Sequence, residues 1–461
     1  MIWERSSRSW FLLTASMAIF VLMVATRLAA AQLGSVAVAM SASVRGSGGY
    51  NEHPVTLLRP PAHPLSALAQ IGRRMFFDPS LSASGKQSCA SCHSPARSYG
   101  PPNDFSVQAG GASRTTQGMR APPSLAYLYR QEVFGIGPPV DEEAMTPIDQ
   151  RAKQASASAR GAKVAGSSST ATALVPRGGL FWDGRADTLM DQAVGPLFNP
   201  VEMANKDIRQ VASKLARPAY RDSFKRLFGE PIASNPDLLF AEATSALTQY
   251  QIEDSSFHRF DSKYDHWLEG KARFTPAEMR GLSLFNDPAK GNCAACHTSQ
   301  PGRDGLPPLF TDTEYEALGV PRNPVIRANK DPRFFDLGLC GPARTDLARL
   351  TQYCGMFLTP TLRNTARRGV YFHNGVYHSL KQVFDFYNLR DTAPARIYPR
   401  TRSGGVARYN DLPAKYHRNI DTSDAPFGRK LGDHAPLTQK DIADITSFIA
   451  TLNDGDQAPW H

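Results

Sequence analysis

Cysteine is scarce in this chain, at 6 of 461 residues. Past the N-terminal segment there is no second long apolar run, and the mean hydropathy is −0.35. No membrane domain is therefore expected beyond a leader. Basic residues outnumber acidic ones, 52 to 42, but they form no stripe with interleaved aromatics. That argues against nucleic acid as a partner. No convincing apolar alternation of period two occurs, which argues against a sheet-built fold. Histidine is missing from the whole stretch between His93 and His258.

The few cysteines are placed with purpose. Four of the six fall into two copies of Cys-x-x-Cys-His, at Cys89, Cys92 and His93 and at Cys293, Cys296 and His297. This is the attachment signature of haem c. Two thiols one helical turn apart add to the two vinyl groups of one haem, and the adjacent imidazole reaches the iron as its proximal ligand. A Cys-x-x-Cys pair alone would also fit a redox dithiol or half a zinc site. Histidine directly after both copies selects haem.

The compartment agrees. Residues 1–31 read as an export leader: Arg5 and Arg8, an apolar stretch over 10–25, and Ala29-Ala30-Ala31 before Gln32. Arg27 leaves an uncleaved anchor as the alternative. Haem c is attached outside the bacterial inner membrane, so a periplasmic protein is expected, soluble or leader-anchored. In that oxidising setting Cys340 and Cys354 read as a disulfide closing a loop, the alternative being two buried thiols. The net charge is +10, of which the leader carries a small part. Haem propionates offset more of it, so the excess says little about partners.

The expected organisation is a leader over 1–31, a Gly-, Ser- and Ala-rich flexible tether over 32–55, an N-terminal domain over 56–258, a C-terminal domain over 259–455 and a tail over 456–461. A low-complexity insertion over 154–173 interrupts the first domain. The periodic segments are helical. Leu65, Leu68, Ile71 and Met75 mark one face before the first motif. Thr275, Pro276 and Glu278 form a capping box, with Met279, Leu282 and Phe285 leading into the second motif. Thr438 caps a last helix bearing Ile442, Ile445, Phe448, Ile449 and Leu452 inward. The expected fold class is all-α: two cytochrome c-like domains, each with one covalently bound haem c.

The segment 181–203 reads FWDGRADTLMDQAVGPLFNPVEM, with PTLRN at 360–364 and YFHNG at 371–375. With the two haem motifs, these make the chain resemble the bacterial diheme cytochrome c peroxidase family, from about residue 64 to 455. Its MauG-type members oxidise side chains in partner proteins. The resemblance implies hydrogen peroxide as a substrate at the haem of His93, with electrons passing from the haem of His297. It implies that Trp182 lies between the haems, where a core Trp is the plain alternative. It places Gln192, Glu202 and Pro196 in the peroxide pocket, Glu202 moving the proton that splits the O–O bond. A salt-bridged carboxylate is the plain reading of Glu202. Arg363 and His373 are expected to be structural or propionate-binding.

The chain departs from the family in two places. The loop histidine that caps the first haem in reductively activated members has no counterpart before His258, so that haem is expected to be open at rest. At the family's interdomain calcium position an Asn is replaced by Arg120, ahead of Ala121-Pro122, with Arg368 nearby, so calcium is disfavoured. Tyr387 stands where ordinary members carry a ligating Met and MauG-type members a Tyr. It falls on one face of a helix capped by Ser379, with Leu380, Val383 and Phe384. The resemblance implies that Tyr387 ligates the haem of His297. A core Tyr387, with Met356 as ligand, is the alternative. The readings are oxidation of a side chain of a redox partner protein, peroxide removal fed by a small donor cytochrome, or a diheme electron carrier.

Overall fold

The computed structural model describes residues 48–137 and 174–455. The leader, the insertion over 154–173 and the tail over 456–461 lie outside the described residues.

Helices and turns build the described chain, and strands are confined to three antiparallel pairs of two or three residues each. The all-α expectation holds. The first half carries α1 (Ala67–Phe77), α2 (Leu189–Phe198), α3 (Ile208–Leu215), α4 (Pro218–Phe228) and α5 (Pro236–Glu253). The second carries α6 (Lys263–Leu268), α7 (Pro276–Asn286), α8 (Leu380–Leu389) and α9 (Gln439–Ala450). One core holds Ile71, Met75, Phe224, Leu239, Tyr250 and Phe257. The other holds Tyr264, Phe274, Phe285, Phe310, Ile445 and Phe448.

Local chemistry sets most helix starts. Thr275 with Glu278, and Thr438 with Asp441, form reciprocal capping boxes at α7 and α9. Thr188 and Asp191 do the same at α2. Helix α1 starts two residues later than the apolar spacing suggests, because the Ser66 hydroxyl accepts the Ala69 N–H at 3.1 Å and leaves Leu65 outside.

Each half uses the same device ahead of its haem motif: two helices crossing at a glycine. A Cβ on Gly72 of α1 would stand 1.9 Å from the Ala246 carbonyl oxygen of α5. A Cβ on Gly281 of α7 would stand 2.1 Å from the Asp444 carbonyl oxygen of α9. Backbones in that proximity exclude any side chain.

The tether expected over 32–55 is corrected from Gly48 onward. The Trp267 indole N–H donates to the Gly49 carbonyl at 3.0 Å, the Asn51 amide to the Leu268 carbonyl at 3.0 Å, and the Val55 N–H to the same carbonyl at 2.9 Å. Leu57, expected in the N-terminal domain, is buried in the second core. Satisfied backbone groups and one buried leucine hold this segment on the C-terminal half, which small-residue composition does not reveal.

The glycine crossing carries a test. Gly281→Val should destabilise the protein by about 1–3 kcal/mol or more through overpacking, read as a lower thermal midpoint. An unchanged midpoint would remove the crossing from the account.

Candidate haem sites and the seam between them

Each Cys-x-x-Cys-His sequence winds into one tight turn. The His93 N–H donates to the Cys89 carbonyl at 3.0 Å and the His297 N–H to the Cys293 carbonyl at 2.8 Å. Each imidazole is then oriented from behind. His93 Nδ1 lies 3.2 Å from the Tyr99 carbonyl oxygen and His297 Nδ1 2.8 Å from that of Phe310. An Nδ1–H donor leaves Nε2 as the ligating lone pair. Burial pushes both imidazoles down to about 4, against the opposing pull of those carbonyls, so both are neutral.

Burial pushes the Cys89 thiol up to about 12, Cys92 to about 11 and Cys293 to about 12. A redox dithiol or a zinc thiolate needs the opposite shift. Among the described residues no cluster of three or more His, Cys, Asp or Glu is built to hold a metal ion. Neutral thiols, one free imidazole nitrogen and an apolar cavity fit covalent haem.

That cavity is plain in the second half. Cys293, Cys296 and His297 line it together with Trp182, Phe384 and Tyr387. Ser379 caps α8 through the Gln382 N–H, and the helix aims Tyr387 into the cavity. Phe427 stacks on the Tyr387 ring at 5.4 Å between centroids, and Phe372 and Phe386 flank it. Burial pushes its phenol well above the ordinary value. Its hydroxyl has no hydrogen-bond partner among the described residues. Met356 packs instead with Tyr315, Leu339 and Tyr353 and does not line the cavity. Cys340 and Cys354 are disulfide-bonded, with Cα atoms 5.0 Å apart, and close the loop between Asp336 and Phe357, both in the cavity wall.

In the first half, Gln192 and Pro196 lie one turn apart on α2. Pro196 has no N–H to offer the Gln192 carbonyl, so the helix is loosened there. The chain then turns back, the Met203 N–H donating to the Pro196 carbonyl at 3.1 Å. The Gly111 N–H holds the Glu202 carbonyl at 2.8 Å and the Ala83 N–H that of Met203 at 2.8 Å. The Asn199 amide donates to Glu202 Oε1 at 2.5 Å. Burial raises the Glu202 carboxyl above its ordinary value, with Arg185 and Asn199 opposing. Glu202 lies near enough to Cys89 and Cys92 to act on both thiols.

Trp182 stands at the seam. It is 7% exposed, lines the cavity of His297 and donates its indole N–H to the Ala121 carbonyl at 2.8 Å. Ala121 lies two residues from Pro123, whose carbonyl acts on His93. On either side run the buried ion pairs of Arg120. Its Nε and Nη2 donate to the Asp336 carboxylate at 2.6 and 2.7 Å, and its Nη1 to Asp183 at 2.7 Å. Burial works to raise the Asp336 carboxyl, but the Arg120 guanidinium overrides it and holds the pKa below the ordinary range.

Arg363 lies away from the cavity. It pairs bidentately with buried Asp265 at 2.9 and 2.7 Å, the arrangement of a structural arginine. His373 does line the cavity. Sequence reasoning missed Arg185, which lies over the Phe181 ring at 3.6 Å and faces Glu202 electrostatically. It also missed Arg368 as a cavity residue. Nothing in periodicity or spacing marks either one.

The chain matches the di-haem cytochrome c peroxidase family over residues 66–273. It is 33% identical over 398 residues to the methylamine utilization protein MauG of Paracoccus denitrificans, covering 84% of this chain and 89% of that one. It is 28% identical to the cytochrome c551 peroxidase of Nitrosomonas europaea, covering 69% of this chain and 72% of that one. The crystal structure of the diheme peroxidase BthA from Burkholderia thailandensis superposes with a TM-score of 0.71 at 33% identity, covering 87% of this chain and 91% of that one.

The two turns predict separable haems. The double variant Cys89→Ala, Cys92→Ala should halve the haem per chain in a pyridine haemochrome assay while the haem of His297 stays. Full haem content in that variant would remove the first turn as an attachment site.

Proposed function

The chain belongs to the MauG-type di-haem cytochrome c peroxidase family and is a peroxidase-type oxidoreductase; on that footing we propose that it uses hydrogen peroxide to oxidise a side chain of a partner protein. Cys89, Cys92 and His93 would hold one haem c, and Cys293, Cys296 and His297 the other. Iron so held supplies the place where peroxide is reduced and a store of oxidising equivalents.

The residues around Glu202 do the proton work. Glu202 takes a proton from the inner peroxide oxygen and delivers it to the outer one, which leaves as water. Burial keeps this carboxylate basic enough for the exchange, and the Asn199 amide holds it in place. Gln192 would offer its carboxamide to peroxide held at that site, and Pro196 would fill the pocket wall without a competing donor. Over the whole reaction peroxide takes two electrons and two protons and becomes two waters. The partner's side chain supplies the electrons. Trp182 carries them between the sites, its indole held at the Ala121 carbonyl and against the cavity of His297.

The observation that carries the substrate reading is Tyr387 in the cavity of His297, with Met356 packed elsewhere. A phenolate oxygen is a hard anion that favours oxidised iron, whereas a thioether favours Fe(II). With haem held at His297, ligation by Tyr387 would make the second site a poor acceptor from a small donor cytochrome and a good store of oxidising power. Haem c chemistry and the N-terminal segment support a periplasmic location. No helix of the described residues is long and apolar enough to cross a membrane.

Tyr387→Phe should change the spectrum and potential of the second haem, and Tyr387→Met should raise that potential and improve turnover with reduced small cytochromes. An unchanged spectrum and potential in Tyr387→Phe would rule out ligation by Tyr387.

Glu202→Gln should slow peroxide reduction by roughly 10²–10⁴-fold with both haems retained. The pKa direction gives a sign. The base form of Glu202 appears only above its raised pKa, so the wild-type rate should climb with pH through an ionisation above the ordinary carboxylate range. That step should vanish in Glu202→Gln. A profile shared by both proteins would remove Glu202 from the proton path.

A further inference from the structure

Buried arginines in this fold come with their carboxylates. Arg120 has Asp183 and Asp336, Arg344 has Asp346, Arg363 has Asp265 and Arg390 has Asp391. Arg368 is the exception. It makes no ion pair among the described residues, and its Nε is buried with no hydrogen-bond partner. Its one side-chain bond is long, from Nη2 to the Pro122 carbonyl at 3.5 Å. Its backbone is firmly held, the N–H donating to Thr365 at 3.1 Å and the carbonyl accepting the Tyr371 hydroxyl at 2.6 Å.

Arg368 is half-buried, but a guanidinium whose Nε is shut off from water and has no anion is costly. The anion must then come from whatever fills the space it faces. Arg368 lines the cavity of His297. Its stem also lies against Gly100, where a Cβ would be 3.8 Å from Arg368 Cγ, and Gly100 closes the loop behind His93. Arg368 is thus at the seam of both sites, near enough for its charge to act on His93.

A second donor faces the same cavity without a hydrogen bond. His373 is 6% exposed, and its Nε2 is buried and makes none. The nearest carboxylate oxygen, Asp411 Oδ2, is 3.7 Å away and accepts the Asn374 amide at 2.9 Å. The ring is fixed by stacking on Phe357 at 3.6 Å and 8°. Two unpartnered donor atoms lining one cavity match a carboxylate, and haem carries two of them as propionates.

We propose that Arg368, with His373 beside it, anchors a propionate of the haem attached at Cys293 and Cys296, and that its charge at the seam raises the potentials of both haems. The proposal rests on a haem occupying the cavity of His297. A fixed cation stabilises the reduced, less positive iron, more at the site it contacts than at the one across the seam. Arg368 is a positioning residue: it binds the haem's edge and takes no part in peroxide chemistry.

The experiment uses full-length holoprotein carrying Arg368→Gln or Arg368→Lys. It reads haem content, both midpoint potentials by spectroelectrochemistry, and the propionate bending modes by resonance Raman, all without peroxide. A failure of the peroxide reading therefore leaves the result intact. Arg368→Gln should keep two haems, lower the potential of the His297 haem most and that of the His93 haem less, and shift one propionate mode. Arg368→Lys should recover most of each change. Unchanged potentials and propionate modes in Arg368→Gln would overturn the proposal, as would equal shifts in the Gln and Lys variants. If Arg368→Gln fails to load haem, Arg368→Lys decides alone: near-wild-type potentials and modes support the anchor, and loss of either contradicts it.

Discussion

The buried guanidinium of Arg120 holds the rest of the arrangement in register. It reaches Asp183 beside Trp182 and Asp336 in the wall of the second cavity. One residue on, the Ala121 carbonyl takes the Trp182 indole N–H, and the Ala121 N–H goes to the His373 carbonyl at 2.8 Å. Four successive contacts thus lock the first half's loop, the tryptophan and the second cavity into one unit. Such a cluster adds little net stability over an apolar one, but losing a single partner strands buried charge at a cost of roughly 3–5 kcal/mol. Its value is placement: the indole can shift only if ion pairs break. The same guanidinium stands at the position where the family resemblance implies calcium.

Around that seam the fold repeats one plan. A capped helix, a glycine crossing, a Cys-x-x-Cys-His turn and a carbonyl behind the histidine occur in each half. The halves then diverge where chemistry differs. The first carries a buried carboxylate, an amide and a proline that loosens α2. The second surrounds its site with aromatic rings and a phenol. Two similar frames thereby carry unlike surroundings, as the proposed division between proton transfer and storage of oxidising power requires.

The two turns that present two thiols and an imidazole were legible because they are built from contiguous residues. Helix starts were legible because Ser and Thr caps act within three residues. The seam was not. Arg120 meets carboxylates 63 and 216 residues away, and whether Arg368 meets none is equally a matter of distant segments, so no local pattern encodes either. The choice between Tyr387 and Met356 is also tertiary, since both stand near the right motifs and only packing sends one into the cavity. The segment from Gly48 to Val55 misled because it continues a Gly-, Ser- and Ala-rich stretch that reads as loose chain, while its order comes from a distant indole and backbone groups around Leu268.

The central claim is that both sites share the oxidising equivalents of one peroxide across Trp182. Anaerobic titration of the resting diferric protein with hydrogen peroxide, followed by Mössbauer spectroscopy, tests it most directly. The account predicts that one equivalent of peroxide moves both iron signals off their resting positions together. A change confined to the iron of His93, with the iron of His297 left at rest, would contradict it.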